Sequence, residues 1–434
     1  MNYPRNLTES RFYTLKLRKW VNRGRLLWPE LCKNENALDY LKVKKKNIVW
    51  NELCYNTAPG IIEFLEENIE KVVLENIIHN QSPDIIKVLE KKIKTIEISN
   101  YCKWNLNYIQ SSISTIKSPY IADFLSKNTS FIHWNELCEN PSPGIIEILK
   151  KNINRINWVN LSMNPGPGVL EFLKDHITHV HWSQLCRNEN PGVIQFIEEI
   201  TQRLLQINVN QLNDISTINI IFDTSELLKK IADGLIDSYN ISSNTAPGVI
   251  EFLKKNPRFI HWGALSKNEG PGIIEFLEEN ISQVNFYELS QNRKAANLLT
   301  IAANYFPEKL NWESVCSNTG HGIAKILKLH PEKIDWYALS SNTGPGIVDI
   351  LRNYPDDFYW SYVCTNEGPG IIEFLEENKH KVRYRELSRN KDIFEREYHY
   401  DVIADHREEL HKDFYQWYYN PARLQKLGYF EEEN

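Results

Sequence analysis

The sequence has no apolar run approaching the roughly 18 residues of a membrane-spanning helix, and its first twenty residues contain no secretory apolar core. We therefore expect a cytoplasmic protein without membrane contact. An excess of positive charge is also missing, because the formal charge of the 434 residues is -6. Nucleic-acid binding usually requires a basic surface, so this balance argues against nucleic acid as a partner.

Recognisable catalytic and cofactor motifs are missing too. The sequence contains no G-x-x-x-x-G-K-[ST] phosphate loop, no G-x-G-x-x-G in a strand–helix setting and no C-x2-C pair for zinc. The histidines of the HITHVHW segment and of the C-terminal tail are interpreted as solvated or capping residues: His176, His179, His181, His399, His406 and His411. We expect no enzymatic activity, no cofactor, no metal and no small-molecule substrate.

What the sequence does contain is a repeat with a period of 24 residues, as between Trp134 and Trp158. The consensus W-x-x-L-[SC]-x-N-x-x-P-G-I-I-E-F-L-E-x-N is followed by a short link ending in Ile or Val. Thirteen units are recognisable, and such self-similarity is typical of a solenoid. The tryptophans that open the clearest units are predicted to be packing positions: Trp134, Trp158, Trp182, Trp262, Trp312, Trp336 and Trp360.

Each unit is predicted to form two short helices of about 8 and 11 residues. In the first, Trp336, Leu339 and Ser340 follow helical spacing, with Asp335 as an N-cap. Asn342 is expected to end this helix in the left-handed conformation, and the proline of the Pro-Gly pair to occupy the first turn of the second helix.

The predicted fold class is an all-α solenoid of about thirteen or more two-helix units, stacked into a superhelix. A leucine-rich-repeat-like β/α horseshoe is the alternative, because I-x-W-x-x-L-S-x-N resembles part of its pattern L-x-x-L-x-L-x-x-N. That pattern needs apolar residues at its fourth and sixth positions, whereas tryptophan comes third here. The helical solenoid is therefore favoured.

The repeat divides the chain into five segments. Residues 1–27 form a basic arm, interpreted as a cap on the first unit or as a contact for an acidic partner or nucleic acid. Residues 28–204 and 238–390 form two repeat arrays, separated by the divergent segment 205–237. Residues 391–434 form a C-terminal segment that caps the last unit or docks a partner. We expect bends near residues 98–110 and at the divergent segment.

All seven cysteines fall at the fifth position of a unit, where other units have serine. Alternation of Cys with Ser indicates a small side chain at a close approach of helices. Zinc ligation and nucleophilic catalysis are the less favoured alternatives, because the cysteines are separated by whole units and none is unique. Cys316 and Cys364 are therefore interpreted as packing residues of a protein in a reducing compartment.

The units resemble tandem-repeat proteins of giant double-stranded DNA viruses of amoebae and algae. The pattern of that family runs D-W-x-x-L-S-x-N-P-x-A-I-x-L-L-E-x-N-P, and D-W-Y-A-L-S-S-N at Asp335 to Asn342 and the pair Asn256-Pro257 match it. Most units depart from it by two extra residues and by Pro-Gly. The resemblance covers roughly residues 28–390 and implies no catalytic residues.

From these patterns we predict a non-enzymatic protein-interaction scaffold with an unknown protein partner, located in the host-cell cytoplasm or in the virion if the chain is viral. The alternatives are a virion structural component, a helical-repeat nucleic-acid binder and, least favoured, an enzyme within the divergent segment. The variable positions after tryptophan form the candidate interaction surface: Asn135, Glu136, Tyr337, Ala338, Ser361 and Tyr362.

Overall fold

The computed structural model describes residues 13–95, 103–199 and 234–399, together with residues 401, 402, 408 and 412. The predictions for residues 1–12, Cys102, residues 200–233, His406, His411 and the remaining tail lie outside the described residues. Almost all regular structure in the described part is helical, which confirms the all-α repeat solenoid.

Each described unit except the last contributes one helix to each of two layers, and we number the first helix of a unit odd and the second even. The described residues contain fourteen odd helices: α1 (Trp28–Lys33), α3 (Trp50–Leu53), α5 (Leu74–Ile77), α7 (Lys103–Ser114), α9 (Trp134–Glu139), α11 (Trp158–Ser162), α13 (Trp182–Leu185), α15 (Ser238–Ser243), α17 (Trp262–Lys267), α19 (Phe286–Leu289), α21 (Trp312–Ser317), α23 (Trp336–Ser340), α25 (Trp360–Thr365) and α27 (Tyr384–Leu387).

The even helices pack against one another in a second layer. They are α2 (Leu38–Val43), α4 (Ile61–Glu67), α6 (Ile85–Ile93), α8 (Ile121–Lys127), α10 (Ile145–Lys150), α12 (Val169–Asp175), α14 (described over 193–199), α16 (Val249–Lys255), α18 (Ile273–Glu279), α20 (Ala296–Tyr305), α22 (Ile323–Leu329), α24 (Ile347–Asn353) and α26 (Ile371–Glu377). The only strands in the described part are β1 (Tyr13–Leu17) and β2 (Phe394–Tyr398), so the β/α horseshoe is wrong.

The even helices are mostly shorter than expected because the Pro-Gly pair forms a turn before them. In the unit of α9 and α10, Ile145 N donates to Ser142 O at 3.4 Å, and Gly144 has φ 83° and ψ -10°. These are the features of a type II turn, which requires positive φ at its third residue. Glycine is therefore needed immediately before the helix, and the prediction that proline occupies the first helical turn is wrong.

Most even helices whose following residues are described end at an asparagine or its substitute and pass through a 3-10 turn to the next unit, whereas the links after α24 and α26 contain no 3-10 turn. Asn152 Nδ2 donates to Ile148 O at 2.8 Å, and the 3-10 turn Ile153–Arg155 follows. The next odd helix begins with the predicted N-cap, since Asn157 Oδ1 accepts from Val159 N at 3.1 Å. Asp335 and Asn311 cap their helices in the same way, whereas the side chains of His133 and His181 accept no such bond.

A buried asparagine joins each unit to the unit before it. Asn342 Nδ2 donates to Cys316 O at 2.6 Å and to Asn318 O at 3.0 Å, while its Oδ1 accepts from Gly344 N at 2.7 Å. No described non-glycine residue has positive φ, so the left-handed role predicted for Asn342 is wrong. The same three bonds are made by Asn34, Asn56, Asn80, Asn140, Asn164, Asn188, Asn244, Asn268, Asn292, Asn318, Asn366 and Asn390.

This asparagine ladder crosses the divergent segment without interruption. Asn244 Nδ2 donates to Cys186 O at 2.9 Å and to Asn188 O at 2.8 Å, so the units on either side stack directly. The ladder is interrupted only in the unit of α7, where Ile116 stands in place of asparagine. The units before and after the divergent segment are therefore joined by the same hydrogen bonds as other laddered neighbours.

The ladder also joins the first unit to the last. Asn34 Nδ2 donates to Ser388 O at 3.2 Å and to Asn390 O at 2.9 Å, and Leu27 N donates to Ser388 Oγ at 2.9 Å. These are the contacts that every other pair of laddered neighbours makes. The units therefore close into a ring, rather than continuing as the superhelix expected from the sequence.

Two strands and two ion pairs complete the closing joint. β1 pairs antiparallel with β2 and packs beside α2, where the last unit lacks an even helix. The Arg389 guanidinium forms two hydrogen bonds with the Glu30 carboxylate, at 2.6 and 2.9 Å, and lowers the pKa of that carboxyl. Lys391 Nζ lies 2.7 Å from Glu35 Oε2. The described part of the predicted N-terminal cap thus connects the two ends of the chain.

We predict that Asn342→Ala lowers the unfolding free energy by about 3 kcal/mol or more, because it leaves two carbonyls and one amide buried without partners. Urea unfolding followed by circular dichroism measures the effect. Thr343→Ala changes the adjacent, exposed residue and is the control. Equal stability of the two variants would contradict the structural role of the ladder.

Because the ring is closed, we predict that two cysteines introduced near the two ends of the chain form a disulfide. Thr14 and Glu397 are partners across the strand pair and both are exposed. In a Cys102→Ser background, Thr14→Cys with Glu397→Cys should oxidise within one molecule and migrate anomalously on a non-reducing gel. Thr14→Cys with Tyr120→Cys is the control pair. An open superhelix would give no intramolecular crosslink with either pair.

Candidate interaction surface

Three tyrosines of adjacent units cluster on the odd-helix face. Tyr337 and Tyr362 were predicted as surface residues, and their hydroxyls are hydrogen-bonded at 2.8 Å. Tyr359 joins them from the link before α25, with its ring centroid 5.7 Å from that of Tyr337. The three rings lie at 71° to 78° to one another, and Tyr337 and Tyr359 are 54% and 52% exposed. The hydrogen bond that the Tyr362 hydroxyl donates to the Tyr337 hydroxyl raises the pKa of Tyr362.

The other predicted surface residues differ in accessibility. Asn135 is exposed, whereas Glu136 and Ser361 are half-buried and Ala338 is buried. The third residue of several odd helices contacts the preceding unit, as when Asn160 Nδ2 donates to Asn135 O at 3.1 Å and Asn240 Nδ2 to Ser183 O at 3.0 Å. Ala338 therefore lies in a joint and contributes no accessible side chain.

Sequence reasoning missed Tyr359 and two further aromatic groups on the odd-helix face. Tyr359 precedes a tryptophan where other units have an N-cap residue, and that departure was the available signal. His79 stacks on Tyr55, with centroids 6.1 Å apart, and hydrogen-bonds to the Tyr108 hydroxyl. A third group contains Tyr239, whose hydroxyl lies 3.1 Å from Lys267 Nζ and whose ring meets His261 edge-on.

The predicted tryptophan positions lie between the two layers. Trp134, Trp158, Trp182, Trp262, Trp312, Trp336 and Trp360 are all half-buried and pack against the core. Several stack on a phenylalanine of the even helix, as Trp360 does on Phe374 with centroids 5.6 Å apart. Each of these side chains therefore packs against the core and is only partly buried.

The cysteine position is a hydrogen-bond acceptor as well as a small residue. Cys316 Sγ accepts from Asp335 N at 3.2 Å, and Cys364 Sγ accepts from Arg383 N at 3.3 Å. Ser162 Oγ accepts from His181 N in the same way, at 2.9 Å. Burial raises the pKa of Cys316 and Cys364 to about 11, so both are neutral thiols at physiological pH. A buried neutral thiol is a poor nucleophile.

Two of the three histidines of the HITHVHW segment pack against a tryptophan or pair with backbone, and the His181 side chain is exposed. The His179 ring stacks on Trp158 at 4.5 Å, and His176 Nδ1 lies 2.9 Å from Phe172 O. Within the described ranges, no group of three or more His, Cys, Asp or Glu side chains is placed to share a metal ion. None of the helices in those ranges combines the length and apolarity needed to cross a bilayer.

No protein-family model, no curated protein and no solved structure matches this chain.

We predict that Cys316→Ser with Cys364→Ser changes the unfolding free energy near pH 7 by less than about 1 kcal/mol, because serine supplies the same acceptor. The effect differs at alkaline pH. The thiols stay protonated up to about pH 11 in the folded chain but ionise near their ordinary pKa of 9.0 when unfolded. Their stabilising contribution is therefore complete below about pH 9 and lost as the pH rises towards 11.

Urea unfolding at several pH values measures both effects. The parent chain should lose more stability than the serine variant between pH 8 and pH 10.5, since other titrating groups are common to both. A serine variant that is strongly destabilised at neutral pH would contradict the assigned acceptor role.

Proposed function

We propose that the protein is a non-enzymatic interaction scaffold that binds a protein partner through the odd-helix face around Tyr337, Tyr359 and Tyr362. The observation that carries this proposal is the cluster of three tyrosine rings, two of which are more than half exposed. Tyrosine supplies a large contact area at low cost in side-chain entropy, and its hydroxyl adds a polar contact.

The surroundings of the tyrosine cluster favour a polypeptide. Its hydroxyls can donate to backbone carbonyls or accept from backbone amides, and its ring faces can hold aliphatic or proline side chains. The rings are preorganised because each lies on or directly before a short odd helix whose position the ladder determines. Preorganisation lowers the entropic cost of binding.

The charge distribution favours protein over nucleic acid. Basic residues of the odd-helix face are paired with acidic ones, as Lys33 is with Glu52 at 2.7 Å and Lys267 is with Glu288 at 3.7 Å. Together with the net charge of -6, this pairing leaves little positive potential for phosphates. We also propose a viral origin and a location in the host cytoplasm or the virion, both of which rest only on the resemblance of the repeat.

The test is affinity capture of partners from cells of the source, with three baits compared by mass spectrometry. We expect proteins that bind the parent chain to be lost with Tyr337→Ala plus Tyr362→Ala, because these substitutions remove the cluster without entering the core. Tyr120→Ala removes a tyrosine of similar exposure outside the cluster and should retain the same proteins.

Equal capture by the double variant and the parent chain would contradict this function. Salt-sensitive binding of single-stranded RNA or DNA by the parent chain, lost in the same double variant, would support the helical-repeat nucleic-acid binder instead.

A further inference from the structure

The even-helix face is charged around most of the ring, and ion pairs link neighbouring helices across it. Lys174 Nζ lies 2.7 Å from Glu199 Oε1, between α12 and α14. Arg352 Nη2 lies 3.0 Å from Glu377 Oε1, between α24 and α26. Charged residues on this face are therefore the usual pattern of the repeat. A unit that lacks them is an exception whose surface differs for a reason other than folding.

Helix α20 departs from this pattern. Its sequence ANLLTIAANY contains no charged residue. Ile301 is 39% exposed and Tyr305 is 73% exposed, and Leu329 on the neighbouring α22 is 61% exposed. When α16, α20 and α22 are aligned on the proline that follows each of them, Ile301 corresponds to Glu251. Tyr305 and Leu329 both correspond to Lys255. An apolar patch therefore replaces charged positions here, which is typical of an interaction site.

The two sides of this patch carry opposite charge. On one side lies α18, with Glu275, Glu278 and Glu279 and no basic residue. On the other lies α22, with Lys325 and Lys328 and no acidic residue, and Lys328 Nζ also lies 3.1 Å from Asp349 Oδ2 on α24. Along the ring the even-helix face therefore runs from acidic to apolar to basic.

We propose that a second copy of this chain docks on the α20 patch, with a two-fold axis running alongside α20. A two-fold axis that lies in the contact plane parallel to α20 reverses the direction of the ring in the partner copy, so α18 of one copy faces α22 of the other on both sides of the axis. Acidic helices then meet basic helices twice, while Ile301 and Tyr305 meet their own counterparts in the centre. The surface is thus complementary to itself in both charge and apolarity.

Sedimentation velocity of the purified full chain between about 1 and 200 µM tests this self-association, since contacts of modest area give weak dimers. We expect a species of twice the 51.0 kDa chain mass to grow with concentration. Ile301→Glu with Tyr305→Lys gives α20 the charged residues that α16 has at the corresponding positions. This double substitution should weaken dimerisation by about 10-fold or more.

Charge reversal distinguishes a second copy from any other occupant. Glu275→Lys with Glu278→Lys should weaken the dimer, and so should Lys325→Glu with Lys328→Glu. All four substitutions in one chain should restore it, because each copy then again presents opposite charges to its partner.

Helix α26 provides the matched control, since its sequence IIEFLEE is identical to that of α18. Glu373→Lys with Glu376→Lys should leave dimerisation unchanged. A parent chain that stays at 51.0 kDa throughout, or a four-fold variant that remains as weak as either pair alone, would overturn the proposal.

Discussion

The side chain of one buried asparagine sets the relation of each laddered unit to the unit before it. Its amide nitrogen donates to two carbonyls of the preceding unit, and its amide oxygen accepts from one backbone amide of its own loop, as at Asn342. Packing between short apolar helices tolerates small slips, whereas a slipped asparagine leaves buried polar groups without partners. The acceptors are backbone atoms, so Asn140 still bonds to the unit that has Ile116 in place of asparagine.

The two-helix unit was predictable because its apolar spacing is a property of a single segment. The N-caps Asp335, Asn157 and Asn311 were predictable for the same reason. The roles of Asn342 and of the Pro-Gly pair were predicted wrongly. A proline before a helix has the same spacing whether it lies in the first turn or in a preceding type II turn. The partners of the asparagine belong to another unit, about 24 residues away, which local spacing does not reveal.

Ring closure depends on a rotation that accumulates over all joints, so no single unit indicates it. The chain closes because the mean rotation per joint equals one turn divided by the number of units. The sequence nevertheless contains the parts of the closing joint. The last half-unit retains Ser388 and Asn390, whose carbonyls accept from Asn34, and it lacks only its even helix. The strand pair of β1 and β2 stands in that place, and the oppositely charged Glu30 and Arg389 lie across the joint.

Closure leaves no end units, so every unit buries both of its sides and its exposed positions are free of packing constraints. Differences at those positions therefore carry information about function. The pair after tryptophan is Gly263-Ala264 in α17 and Tyr337-Ala338 in α23, although the two backbones are equivalent. The buried alanine is common to both, and only the exposed residue changes. In a ring of uniform geometry, surface chemistry that varies from unit to unit distinguishes one rotation from another, so only one rotation would align the contacts of a bound molecule.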